Sequence, residues 1–124
     1  MHLGAFSISL NVKDVKASMA FYEKLGFRAF HDSSDEGWVI LKQGQTIIGL
    51  FGGFIEGNTL TFNPGWDQDA QAVEGDWEDV REIQARLKAE GIELTQEADP
   101  DGTGPAHIAL IDPDGNRILI DQHR

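Results

Sequence analysis

Four histidines and no cysteine bound the chemistry open to this chain. Without thiols, disulfides, thiolate metal sites and cysteine nucleophiles are excluded. His107 has the most suggestive surroundings, in the alternating run Ala106-His107-Ile108-Ala109-Leu110-Ile111. A second run, Arg117-Ile118-Leu119-Ile120-Asp121-Gln122, follows the turn Asp112-Pro113-Asp114-Gly115. With 113–115 as a three-residue loop, Asp112 opposes Asn116, Ala109 opposes Leu119 and His107 opposes Asp121. A carboxylate beside an imidazole favours its charged form and orients it, as a general base requires. The same pair also serves as a purely structural ion pair at a sheet rim. His107 and Asp121 are thus the catalytic candidates. His2 and His123 lie near the termini, and His31, beside Asp32, Ser33 and Ser34, is read as a loop residue at a strand end. Asp99-Pro100-Asp101-Gly102 is a turn signal without the spacing or closing Glu of a calcium loop. No phosphate-binding glycine motif and no GxSxG nucleophile elbow is present.

The elements that position these residues repeat. Ser7-Ile8-Ser9-Leu10-Asn11-Val12 and Thr59-Leu60-Thr61-Phe62-Asn63 both alternate polar and apolar residues, the mark of a two-faced strand. A helical pattern follows each. The first covers residues 15–25, with Asp14 as N-cap, Val15, Met19, Tyr22 and Leu25 on one face, and Gly26 at the exit. The second covers 77–89, with Asp76 as N-cap, Asp79 as a weak capping-box partner, a stripe of Val80, Ile83 and Leu87, and Gly91 at the exit. Strands are then expected at 27–32, 37–42 and 45–52, and again at 92–97, 106–111 and 116–122. The chain thus reads as an α+β protein of two βαβββ modules, about 5–53 and 58–122, within a single domain over 1–124. The stretch 64–76 breaks the symmetry. It carries Asp67, Asp69, Glu74 and Asp76 between Trp66 and Trp77, and is either a solvated connection or a lid.

Alternation assigns faces. Ile8, Leu10 and Val12 must face the first helix, so Ser7, Ser9 and Asn11 point away from it, and by the same argument Thr59, Thr61 and Asn63 point away from the second. In the last hairpin, Ile108, Leu110, Ile118 and Ile120 go to the core, leaving His107, Ala109, Arg117, Leu119 and Asp121 on the opposite face. A tight turn at Gln43-Gly44 puts Trp38 across from Gly49, with Ile40, Ile47 and Phe51 on the same face. Trp38 is there either a flat stacking surface or a core residue.

Composition narrows the partners. The formal net charge of −11 disfavours nucleic acid and anionic membranes, which call for clustered Lys and Arg. It favours cationic ligands and solubility. No apolar run approaches a membrane span, and Met1-His2-Leu3-Gly4 is unlike a signal peptide, so a cytoplasmic location is expected.

Asn11-Val12-Lys13-Asp14-Val15, continuing through Ser18, Phe21-Tyr22 and Leu25-Gly26-Phe27, together with Asp112-Pro113-Asp114-Gly115-Asn116 before the last strand, resembles the vicinal oxygen chelate superfamily. That group includes glyoxalases, extradiol dioxygenases, fosfomycin-resistance enzymes and bleomycin-binding proteins. The resemblance covers nearly the whole chain. It implies paired βαβββ modules in a cupped mixed sheet, with the polar strand faces lining the cup, and commonly a homodimer. Metal-dependent members place His, Glu or Gln at four strand positions, which here are Ser7, Gly49, Thr59 and Leu119. Hydroxyls are poor ligands for transition metals, and Gly49 and Leu119 offer no donor. The expectation is therefore a cofactor-free protein that binds a small molecule, cationic or aromatic, through Ser7, Ser9, Asn11, Trp38, Gly49, Phe51, Thr59, Thr61, Asn63, Arg117 and Leu119. The alternative is a related enzyme with displaced ligands or metal-free acid–base chemistry on His107 and Asp121.

Overall fold

The computed structural model describes residues 1–124. It is the expected mixture of helix and sheet, in chain order β1 (Ala5–Asn11), α1 (Val15–Glu23), β2 (Arg28–Ser33), β3 (Trp38–Gln43), β4 (Thr46–Phe51), β5 (Thr59–Asn63), α2 (Val80–Ala89), β6 (Ala106–Ile111) and β7 (Arg117–Gln122). The chain forms two compact units: a first of Ser7–Thr59, and a second of Met1–Phe6 with Leu60–Arg124.

In the first unit the strand order is β2-β3-β4-β1. β1 runs parallel to β4, with Ser9 beside Gly49 and Asn11 beside Phe51. β2, β3 and β4 are successive antiparallel neighbours. Helix α1 starts where expected, because the Asp14 carboxylate accepts the Ala17 N–H at 3.0 Å. It ends at Glu23, two residues before the expected Leu25, which is left exposed. The core is Val15, Phe27, Val39, Leu41, Ile48 and Leu50, with Ile8, Leu10, Val12, Met19 and Tyr22 packed against it. The apolar row of β1 therefore faces the helix, as alternation requires.

In the second unit the order is β5-β7-β6. Its core joins Val80, Ile83, Ala98, Ile108, Leu110 and Ile120, flanked by Leu3, Phe62, Leu87, Leu94 and Ile118. The last hairpin has the expected register, with His107 opposite Asp121 and Ala109 opposite Leu119. Asp112 sets that register. Its Oδ1 accepts the N–H groups of Asp114 and Asn116, its Oδ2 accepts the Asn116 amide, and Gly115 takes a left-handed φ of 89°.

Two expectations for this unit are corrected. Helix α2 begins at Val80 rather than 77, and its N-cap is Asp79, not Asp76. The Asp79 carboxylate accepts the Arg81 N–H at 2.9 Å and both Nη1 contacts of the Arg81 guanidinium. The expected strand at 92–97 is reduced to one bridge between Gln96 and Ala109. A side chain holds the segment instead: the buried Gln84 amide donates to the Ala98 carbonyl at 3.0 Å and accepts its N–H at 2.7 Å. The second module thus carries two full strands after its helix where the first carries three.

Gln122, 1% exposed, ties α2 to the sheet. Its Oε1 accepts the Val80 N–H at 2.7 Å, and its Nε2 donates to Asp79 Oδ2 and to the carbonyls of Gly104 and Arg124. Burial pushes the Asp79 carboxyl up, but the Arg81 N–H, the Gln122 amide and the Arg81 guanidinium outweigh it and hold it below the usual range. Removing one partner strands the others in the interior. Gln122→Ala is expected to cost about 2–4 kcal/mol in urea unfolding. A loss under about 0.5 kcal/mol would show that water replaces the amide.

Candidate functional site

On the first unit, the sheet face turned away from α1 carries Ser7, Ser9 and Asn11 from β1, Ile47, Gly49 and Phe51 from β4, Trp38 and Ile40 from β3, and His31 from β2. Their registers place Ser9 beside Gly49, Gly49 across from Ile40, and Ile40 across from His31. Trp38 faces Phe51, not Gly49 as expected. The turn lies at Gly44-Gln45, since Gln43 still pairs with Thr46, and Gly44 has a positive φ of 58°. The register moves by two residues, which keeps every side chain on its expected face.

This shift changes what fills the space at Gly49. A Cβ built there would lie 2.7 Å from Phe51 Cε2 and 3.3 Å from Ile40 Cδ1. The Phe51 ring, rather than the Trp38 indole, covers the glycine. The indole is itself enclosed. His31 stacks on it at a centroid distance of 4.8 Å and 11°, and Phe51 stacks on it at 6.3 Å and 7°. The two rings reach the indole from the strands that flank β3, β2 and β4. Trp38, open from the sequence as a stacking surface or a core residue, is half-buried beside the His31 and Phe51 rings, and the outer ring of the ladder is His31. The imidazole is a strand residue, with Nε2 3.2 Å from Ser33 Oγ. Sequence reading missed it because His31 seemed to sit in a loop; a β-bulge between Ala29 and His31 turns it onto this face.

The polar rows are less open than expected. Ser9, Thr59 and Thr61 are buried. The Thr59 hydroxyl donates to the Gly57 carbonyl at 2.9 Å, and the Asn63 amide donates to the Asp121 carbonyl at 2.8 Å. Thr59 and Asn63 thus serve the backbone. Ser7 is half-buried and Asn11 exposed, its N–H bonded to Asn58 Oδ1.

On the second unit, Arg117, Leu119 and Asp121 share one face of β7 and are half-buried, with His107 exposed across the hairpin. His107 stands across from Asp121, the register expected of the pair. Asp121 Oδ2 lies 3.3 Å from His123 Nε2, two residues along the same strand direction. The hydrogen bond to Asp121 raises His123 above the ordinary imidazole value, against the opposing effect of burial. The His123 ring stacks on Trp66 at 4.6 Å and 15°.

The 64–76 stretch is a pinned connection. Trp66 bridges Ala72, and Asp67 Oδ1 accepts the N–H groups of Asp69 and Gln71. The Gln68 amide bonds both backbone groups of Phe6, and Arg124 donates to the carbonyls of Gly65 and Val73 while lying over Trp77. A concavity of about 380 Å³ lies at the end of α2, lined by Lys88, Ile92, Glu93, Leu94 and Glu97, none of them a residue nominated from the sequence. Within either unit, no three His, Cys, Asp or Glu side chains gather as a metal site would need.

Comparison with known proteins places this arrangement. The family model described as the Glyoxalase/Bleomycin resistance protein/Dioxygenase superfamily matches residues 4–120. The chain belongs to that superfamily. No curated protein matches it. Among solved structures, it is similar to a protein from Legionella pneumophila named an NAD-dependent benzaldehyde dehydrogenase, at 21% identity and TM-score 0.71, covering 96% of this chain and 99% of that one. It is also similar to a glyoxalase/bleomycin resistance protein/dioxygenase superfamily member from Vibrio splendidus 12B01, at 20% identity and TM-score 0.63, covering 94% and 97%. The hypothetical protein BH1468 from Bacillus halodurans C-125 matches at 16% identity and TM-score 0.65, covering 95% and 92%. At these identities the likeness is one of fold.

Gly49→Ala is expected to destabilise the protein by about 1–3 kcal/mol, because the new methyl meets the Phe51 ring. Phe51→Leu in the same background should recover part of that loss, giving a coupling of about 1 kcal/mol in a double-mutant cycle. Strict additivity would show that the ring is not the obstacle.

Proposed function

We propose that the chain binds a small planar or cationic organic molecule, without a metal at the position where metal-dependent members of its superfamily carry one. The observation that carries this reading is the Phe51 ring over Gly49. A ligating side chain at 49 would start from a Cβ 2.7 Å from a ring carbon, in the direction the ring already occupies. The other three family positions hold Ser7, Thr59 and Leu119, hydroxyls and hydrocarbon in place of imidazole and carboxylate. These residues do not fit a transition metal.

What the face of the first unit does supply suits an organic ligand. The ladder of His31, Trp38 and Phe51 gives an aromatic wall, flanked by the carboxamide of Asn11 and the hydroxyl of Ser7. A net charge of −11 draws cations rather than anions toward such a wall. No nucleic-acid or membrane role is supported by that charge.

Thermal shift separates this reading from a metal enzyme. Nickel, zinc, manganese and iron(II) salts should leave the melting temperature within about 1 °C. A saturating planar cation such as 1-methylquinolinium should raise it by roughly 5–15 °C at a hundredfold excess over its Kd. A saturable stabilisation by one of the metals, with stoichiometric metal in the purified protein, would overturn the proposal.

A further inference from the structure

Three of the side chains that hold the connection from Gly65 to Val73 to the rest of the second unit differ in kind. Gln68 is a neutral amide bonded to the backbone of Phe6. Arg124 is a guanidinium bonded to the carbonyls of Gly65 and Val73, and it stays charged at any ordinary pH. His123 is an imidazole lying flat on Trp66, with its Nε2 3.3 Å from the Asp121 carboxylate. Of these three it is the one whose charge changes near neutral pH.

We propose that His123 is a proton-operated latch on the 65–73 connection: charged, it grips the Trp66 indole and the Asp121 carboxylate together; neutral, it loosens both. The geometry supplies the mechanism. A cation over an indole face is attracted by the ring quadrupole; a neutral imidazole in the same place keeps the stacking contact but loses that charge attraction. The Asp121 ion pair likewise exists only while the ring is protonated. The groups around the imidazole are few. Asp121 presents its carboxylate from β7, the connection presents the uncharged Trp66, and Arg124 next in the chain directs its guanidinium to Gly65, Val73 and Trp77. The ring is half-exposed, so protons reach it without unfolding.

The direction of the response follows from linkage. His123 titrates higher in the folded chain than when unfolded, with the hydrogen bond to Asp121 as the main cause. Its stabilising contribution is therefore fully present below about pH 6.5, the unfolded value, and disappears as pH rises through the folded value. The latch closes in mild acid and opens in mild base.

Two probes test it on the full chain. Proton NMR follows the His123 ring and the Trp66 indole through a pH titration. Hydrogen exchange, corrected for the intrinsic pH dependence of the rate, follows the Asp67 and Val73 amides, which bond to the Gln71 and Gly65 carbonyls inside the connection. The His123 ring and the Trp66 indole should share one midpoint above about pH 6.5. Protection of the two amides should fall by roughly two- to five-fold across that midpoint, the size expected for loss of a cation–π contact at a partly exposed site. Asp121→Asn should move the midpoint down, and His123→Gln should flatten the pH dependence. Protection that stays level while the imidazole titrates would overturn the latch, as would a midpoint unmoved by Asp121→Asn. If His123→Gln fails to fold, the wild-type titration and Asp121→Asn still decide the question.

Discussion

A strand has only two faces, and in both units a helix claims one of them. Once Ile8, Leu10 and Val12 are committed to the core beneath α1, every other residue of β1 is committed to the opposite side. The parallel register with β4 then sets Ser9 beside Gly49 and Asn11 beside Phe51, and β3 and β2 extend the same face to Trp38 and His31. In the second unit Ile108, Leu110, Ile118 and Ile120 make the same commitment, leaving Arg117, Leu119 and Asp121 on the other side of β7. The candidate site is the residue left over from core formation, and its chemistry is whatever those leftover positions happen to hold.

That constraint explains which parts of the structure were legible in the sequence. Face assignments survive any register slip of two, so Trp38, Gly49 and Phe51 were correctly grouped although the β3–β4 turn was misplaced. The last hairpin was readable to the residue because Asp112 bonds across its own turn, a local signal that leaves little freedom. What could not be read depended on side chains acting far along the chain. The Gln84 amide replaces strand pairing at Ala98, and nothing local to 92–97 announces that. Gln122 shares the core side of its strand with Ile118 and Ile120, but nothing in the run announces that α2 uses both ends of its amide. Asp121 has two histidines within reach, one across the hairpin and one along the strand. Register sets the first across from it, and its Oδ2 also lies 3.3 Å from the Nε2 of the second, a contact the sequence did not announce.

The two units also show how imidazole and indole can be used differently. His31 lies on Trp38 as the outer rung of a three-ring ladder, with a serine hydroxyl at its Nε2. His123 lies on Trp66 with a carboxylate at its Nε2. The stacking geometries are nearly the same, 4.8 Å and 4.6 Å between centroids. The hydrogen-bond partner separates them: a hydroxyl for His31, and for His123 a carboxylate, which favours the charged ring directly. Membership of a metal-rich superfamily says little about such sites, since a fold carries the scaffold and individual side chains carry the chemistry.

The reduced strand before β6 has a consequence for behaviour in a crowded solution. β6 is the outermost strand of its unit, and along its outer side only Ala109 is bridged, by Gln96. An intact neighbour would have presented its own long row of free amides and carbonyls to other molecules. Here the segment peels away after one pairing and is held by Gln84 and by the ion pair of Lys88 with Glu97, so the edge that stays open is the outer side of β6 on either side of Ala109. A missing strand, in this sense, moves the exposed edge one place inward and interrupts it at a single residue.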